Sequence, residues 1–262
     1  MDMRLDSIGM LKAQGRVLAA LMLHDLKTRF FGNEFGFLLT MGWPLTHILV
    51  LLIINTSMGR AVPYGESPAL WFATGVIPFA AFNYMARFIM LGIVLNRPLL
   101  SFPIVKITDI LFARSINEVL SAGVVVLIMF TILWAFDVDF MPTDVVQAAS
   151  AMLAMMLLGL GYGVVNAVIA AAIPGWITGY ALLTILLWAS SSIFFVPDAL
   201  PEQVRVPLSY LPTVQGVEWM RSAYYDGYGA YTLDKLYMLS CSVVILFTGL
   251  AIERAVRGKM LA

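Results

Sequence analysis

Between Val145 and Val196 the chain passes through two long apolar stretches that hold no Asp or Glu, and four further apolar stretches accompany them. These runs limit the fold more than any motif does. About twenty helical residues, rising about 1.5 Å each, cover the roughly 30 Å hydrocarbon layer of a bilayer. The runs have about that length: Phe37 to Ile54, Leu70 to about Leu95, Ala113–Phe136, Val145–Ile173, Trp176–Val196 and Leu236–Ile252. With 61% hydrophobic and 12% charged residues among 262, a water-soluble domain has no means of hiding this much apolar surface. The bilayer must act as solvent. The fold class expected is an all-α membrane protein with six transmembrane helices.

The cations set the orientation. With the N-terminus inside, 12 of the 16 Lys and Arg residues fall on the cytoplasmic side, and Arg60, Arg205, Arg221 and Lys235 fall outside. Both termini are therefore expected in the cytoplasm. Residues 1–34 read as an N-terminal amphipathic region, with Lys12, Arg16 and Lys27 on one basic face of an interfacial helix. Residues 35–262 form the transmembrane domain. Within it, 96–109 is a compact cytoplasmic connection. The stretch 197–235 is external, broken by Pro197, Pro201, Pro207 and Pro212 and rich in tyrosine; it reads as re-entrant helices between spans five and six. The first 30 residues lack the apolar block of a cleavable leader.

Enzyme signatures are missing. The sequence has no H-E-x-x-H, C-x-x-C, G-x-S-x-G or phosphate-loop pattern, a single cysteine (Cys241), and two separated histidines, His24 and His47. No catalytic residue, metal site or cofactor is expected on this chain, and no nucleic acid among its partners. Arg87, Asp109, Arg114 and Glu118 are the ionisable residues nearest the hydrocarbon, with Arg114 and Glu118 spaced to pair along one helix face. All four sit towards the cytoplasmic boundary, whereas an ion-coupled carrier is expected to place carboxylates at mid-membrane. This weakens the reading as an ion-coupled carrier without excluding it, and if the protein moves something uphill with ATP, another chain must hold the nucleotide. The four-residue repeat Gly159, Gly163, Ala167, Ala171 marks a face for close helix packing, either within one subunit or between two. Trp176, Tyr180 and Trp188 lie nearly in line on the fifth run, as packing aromatics or as a surface on which sugar rings stack.

Taken in order, these parts resemble a known plan. RFFGNEFGF (Arg29–Phe37), Pro44-Leu45-Thr46-His47-Ile48, Ala73 to Phe79, Asn96–Asp109 with its core Phe102-Pro103-Ile104-Val105-Lys106, Ala113-Arg114, Glu118, FFVPDALPEQVR and VEWMRSAYYDGY carry the likeness. The chain resembles the membrane subunit of bacterial ABC type-2 exporters, and its finer pattern is similar to the permeases that export capsular polysaccharide. Trp43 departs from that pattern, which has an acidic residue before the first-span proline. Exporters of O-antigen or teichoic acid share the same plan.

The resemblance implies an inner-membrane homodimer joined to two copies of a separate cytoplasmic ATPase that binds the ATP and magnesium. It further implies a periplasmic adaptor and an outer-membrane channel, besides membrane lipids, as partners in a capsule system. Arg97, Pro98, Phe102, Pro103, Lys106 and Asp109 would form the segment that couples to the ATPase. Expected along a substrate path are Arg29, Arg87, Tyr180, Trp188, Tyr210, Trp219, Tyr224 and Tyr225, the arginines meeting a phosphate or acidic sugar. An exporter of lipids or drugs, and a membrane scaffold without a transport cycle, remain as alternatives.

Overall fold

Helices account for all the regular structure in the described part of the computed structural model, which covers residues 3–28, 36–59, 62–229 and 231–261. They are α1 (Met3–Thr28), α2 (Gly36–Ser57), α3 (Pro68–Met90), the single turn α4 (Gly92–Leu95), α5 (Ile107–Ala135), α6 (Val145–Ala172), α7 (Trp176–Ser190), α8 (Glu202–Ser209), α9 (Pro212–Ser222) and α10 (Lys235–Leu261). Short 3-10 turns occupy Arg97–Ser101 and Pro197–Ala199.

The helix ends follow from local chemistry. Ser67 Oγ accepts from the Leu70 amide and Asp144 Oδ1 from the Gln147 amide, so α3 and α6 begin on satisfied donors. Pro174 and Gly175 separate α6 from α7. Pro212 stands at the first position of α9, where its missing amide costs nothing.

Four helices, α3, α5, α6 and α10, are long and apolar enough to cross a membrane; Met41–Ser57 within α2 and all of α7 are apolar but shorter. Several expected boundaries move: α3 ends at Met90, five residues short of Leu95, and α10 continues to Leu261, nine beyond Ile252. The third run begins as helix at Ile107, six residues before Ala113, because Asp109 turns back to accept from the Lys106 amide at 3.0 Å. The fifth run leaves the helix at Ser190, six residues short of Val196. Ser190 and Ser191 hydroxyls donate back to the Leu186 and Trp188 carbonyls, and Ser192 adopts a φ of 60°.

α6 lies at the centre, with α3 on one side and α10 on another. The small-residue stripe makes this possible within one chain. A Cβ on Gly159 would come within 2.6 Å of the Phe82 carbonyl oxygen, and one on Gly163 within 2.7 Å of Ile89 Cβ. Ala167 is buried in the same seam, and Ala171 packs at its edge. On the other side a Cβ on Gly161 would meet the Leu246 amide at 2.9 Å. α9 packs chiefly on α6, α3 and α10, so the proline-broken stretch is folded onto the bundle.

α1 docks along the first half of α5 through Leu21, Ile110 and Ala113. Polar contacts fix its register: Gln14 Nε2 donates to Asp109 Oδ1 at 2.5 Å, and Asn117 Nδ2 donates to the Met22 carbonyl and to Asp25.

Candidate functional site

On α2, Trp43, His47 and Val50 recur at helical spacing and share a face; on α3, Val76, Ala80, Asn83 and Arg87 do the same. The two faces meet along a groove made of two connected clefts. One, of about 670 Å³, is lined by Trp43, Thr46, His47, Asn83, Tyr84, Arg87, Phe88 and, from α5, Arg114. The other, of about 310 Å³, reaches α7 at Thr184, Ile185 and Trp188. His47 and Asn83 line both clefts and form the neck between them. His47 Nδ1 lies 2.9 Å from the Tyr84 hydroxyl, with the rings edge to face.

Charge is concentrated at one end. Arg87 is exposed to the wider cleft, and Arg114 reaches its wall while buried. Arg114 Nη2 lies 3.0 Å from Asp25 Oδ1, and Nη1 donates to the Phe88 carbonyl at 2.7 Å. Among the described residues the wider cleft has no carboxylate in its lining, and the charged side chains there are Arg87 and Arg114. The narrower cleft is apolar except for the neck residues and Thr184, and Trp188 there stands edge-on to Phe194 with ring centres 4.5 Å apart. The arrangement suits a ligand with an anionic head and faces that stack on aromatic rings.

The expected path residues are thus dispersed. Arg87 and Trp188 share the groove. Tyr180 is buried against Ala86, Met90 and Ala170, and Trp176 donates Nε1 to Asn166, so the aromatic ladder of the fifth run does not present one open face. Trp219 is buried and donates to Gln147 Oε1, which also accepts from Lys235. Tyr224 lines a separate apolar cavity, Tyr225 packs with Tyr64, Trp71 and Tyr228, and Tyr210 is exposed beside Tyr237. Arg29 lies outside the described residues. Sequence reasoning noted His47 only as a lone histidine and within the Pro44–Ile48 likeness, and did not single out Asn83; neither was expected along the path.

The segment from Phe102 to Ile104 projects from the bundle beside α1, with Phe102, Pro103 and Ile104 exposed. Arg97, Pro98 and Lys106 are also exposed, whereas Asp109 is buried as the cap of α5. The result is a short apolar projection flanked by cations.

A buried polar knot that sequence reasoning did not anticipate closes the opposite end. Arg221 is fully buried, and its guanidinium donates to the carbonyls of Ser192, Ile193 and Phe195. Glu218, one turn earlier, accepts from the Tyr228 hydroxyl at 2.9 Å and lies 3.8 Å from Arg221. Burial pushes the Glu218 carboxyl up to about 7, against the opposing pull of Arg221 and of hydrogen bonds such as that from Tyr228. The i,i+3 pair in VEWMR was the available signal.

No family model matches the chain. Individual proteins do. The polysialic acid transport protein KpsM of Escherichia coli is 28% identical over 251 residues, 95% of this chain and 97% of its own length. The chain is a homologue of the capsule polysaccharide export permeases. Two more such relatives agree with that. The capsule polysaccharide export inner-membrane protein CtrC of Neisseria meningitidis serogroup B is 28% identical over 242 residues, 92% of this chain and 91% of its own. BexB of Haemophilus influenzae, with the same description, is 25% identical over 244 residues, covering 90% and 92%. This capsule-permease homologue therefore matches its relatives over nine-tenths or more of each chain, with both the cationic groove and the Arg221 knot inside the aligned length.

Proposed function

We propose that this chain is the membrane-spanning subunit of an ATP-driven exporter that carries a lipid-linked capsular polysaccharide across the bacterial inner membrane. It acts as a homodimer with two copies of a separate ATPase, crosses the bilayer six times, and keeps both termini in the cytoplasm. The near full-length similarity to capsule export proteins carries this reading.

The groove supports it in chemical terms. Arg87 at the cytoplasmic end receives the anionic head or acidic sugars of the glycan, and Trp188 offers a ring face further along. The neck at His47, Asn83 and Tyr84 supplies hydrogen-bonding groups for sugar hydroxyls. The projection at Phe102–Ile104, beside α1, is the surface that docks into the ATPase, with Arg97 and Lys106 at its rim. A periplasmic adaptor and an outer-membrane channel continue the route.

The test is co-expression with a candidate ATPase. Joint purification, and loss of surface glycan on deletion of this chain, are expected. An ATPase that neither associates nor couples, together with unchanged surface glycan, overturns the proposal.

A further inference from the structure

A cavity of about 390 Å³ lies between α3, α5 and α6 and shares no lining residue with the groove among the described residues. α5 and α6 both lean on α3 and barely touch each other, so a recess remains between them. Ile77, Val126, Phe130, Ala149 and Met152 form its wall, and Tyr224 stands at one end. Among the described residues Thr74 and Tyr224 are the only polar side chains in the lining, and the Thr74 hydroxyl is already donated to the Trp71 carbonyl. The loop that roofs the recess is fixed, since the Asp144 amide donates to the Ala223 carbonyl and Thr143 Oγ1 to that of Tyr224.

Both flanking helices qualify as membrane spans, and Leu127 and Leu153 beside the opening are 66% and 61% exposed. The medium at the mouth is therefore hydrocarbon. Water gains no partners in such a space, and leaving it empty forfeits the dispersion contacts of its walls. A glycan would find no hydrogen bonds there. We propose that this recess between α5 and α6 holds one acyl chain of a membrane phospholipid as a bound, structural tail. Ile77, Val126 and Met152 separate the recess from a second void of about 30 Å³ whose lining includes Glu118 and Ser121, so the apolar surface offered to the tail ends at those three side chains.

The full-length chain in vesicles of phosphatidylethanolamine and phosphatidylglycerol, doped with a phospholipid bearing a diazirine on its acyl tail, provides the test. Irradiation and peptide mass spectrometry are expected to place label on residues 126–133 and 145–152 several-fold above Val244 and Phe247, which are exposed on α10. Ala149→Trp, which fills the mouth, is expected to lower cavity labelling several-fold while labelling of α10 stays the same. Equal labelling of cavity and α10 in the wild type, as loosely surrounding lipid gives, overturns the proposal. So does absence of label from the cavity, as a second copy covering it gives, or unchanged cavity labelling in Ala149→Trp.

Discussion

The guanidinium carbon of Arg221 lies 3.6 Å from the centre of the Trp71 ring, and both residues are buried. Through this contact α9 is stacked on α3, while the same guanidinium gathers the carbonyls that α7 releases at its end. Gly75 leaves room for it: a Cβ there would stand 3.2 Å from Arg221 Nη2 and 3.3 Å from Ile193 Cα. Arginine suits the place because its planar fork reaches several carbonyls while its face rests on an aromatic ring.

Replacing Arg221 with Met is expected to destabilise the protein by roughly 3–5 kcal/mol, because Glu218 and three carbonyls lose a buried partner. Arg221→Lys keeps the charge but not the fork, and is expected to recover only part of the loss. Thermal unfolding in mild detergent reads the effect. Adding Glu218→Gln to Arg221→Met is expected to restore some stability by removing the orphaned carboxyl.

Glu218 also makes stability depend on pH. Its pKa is raised from 4.5 to about 7 in the fold, so between those values the folded state holds a proton that the unfolded state has released. Stability from this group is then full below about 4.5 and declines as pH rises to about 7. Unfolding midpoints measured across that window are expected to fall with pH in the wild type and to flatten in Glu218→Gln.

The α3–α6 seam gives a paired test. Gly159→Ala places a methyl 2.6 Å from the Phe82 carbonyl oxygen and is expected to cost about 1–3 kcal/mol. Gly123→Ala, on α5 with open space around it, is expected to gain about 0.5–1 kcal/mol from helix propensity. Unfolding of the two variants under one set of conditions separates packing from propensity.

Asp25 anchors α1 to α5 through Arg114 and Asn117. Asp25→Ala is expected to loosen α1 and cost roughly 3–5 kcal/mol as a buried pair is broken. Limited proteolysis checks this: faster cleavage within α1 is expected, with the remaining helices protected.

Much of the fold was legible because a membrane span announces itself by length and apolarity. The runs from Phe37, Ala113, Val145 and Leu236 all became helices, with ends shifted by up to nine residues. The fifth run misled because Ser191 to Phe195 is as apolar as a helix, yet its carbonyls are claimed by Arg221 from a distant part of the chain. Periodicity also has no view of which aromatic is buried. Tyr180 and Trp188 stand eight residues apart, but Tyr180 is drawn against the small side chains of Ala86 and Ala170. His47 entered the candidate site only when α2 and α3 were laid side by side.

The central claim is that the cationic end of the α2–α3 groove serves glycan export, and Arg87 is its most accessible group. Surface capsular polysaccharide in cells whose only copy carries Arg87→Gln tests this directly, with membrane level and ATPase co-purification measured alongside. The account predicts normal insertion and ATPase association with strongly reduced surface glycan. Surface glycan at wild-type amounts would contradict it.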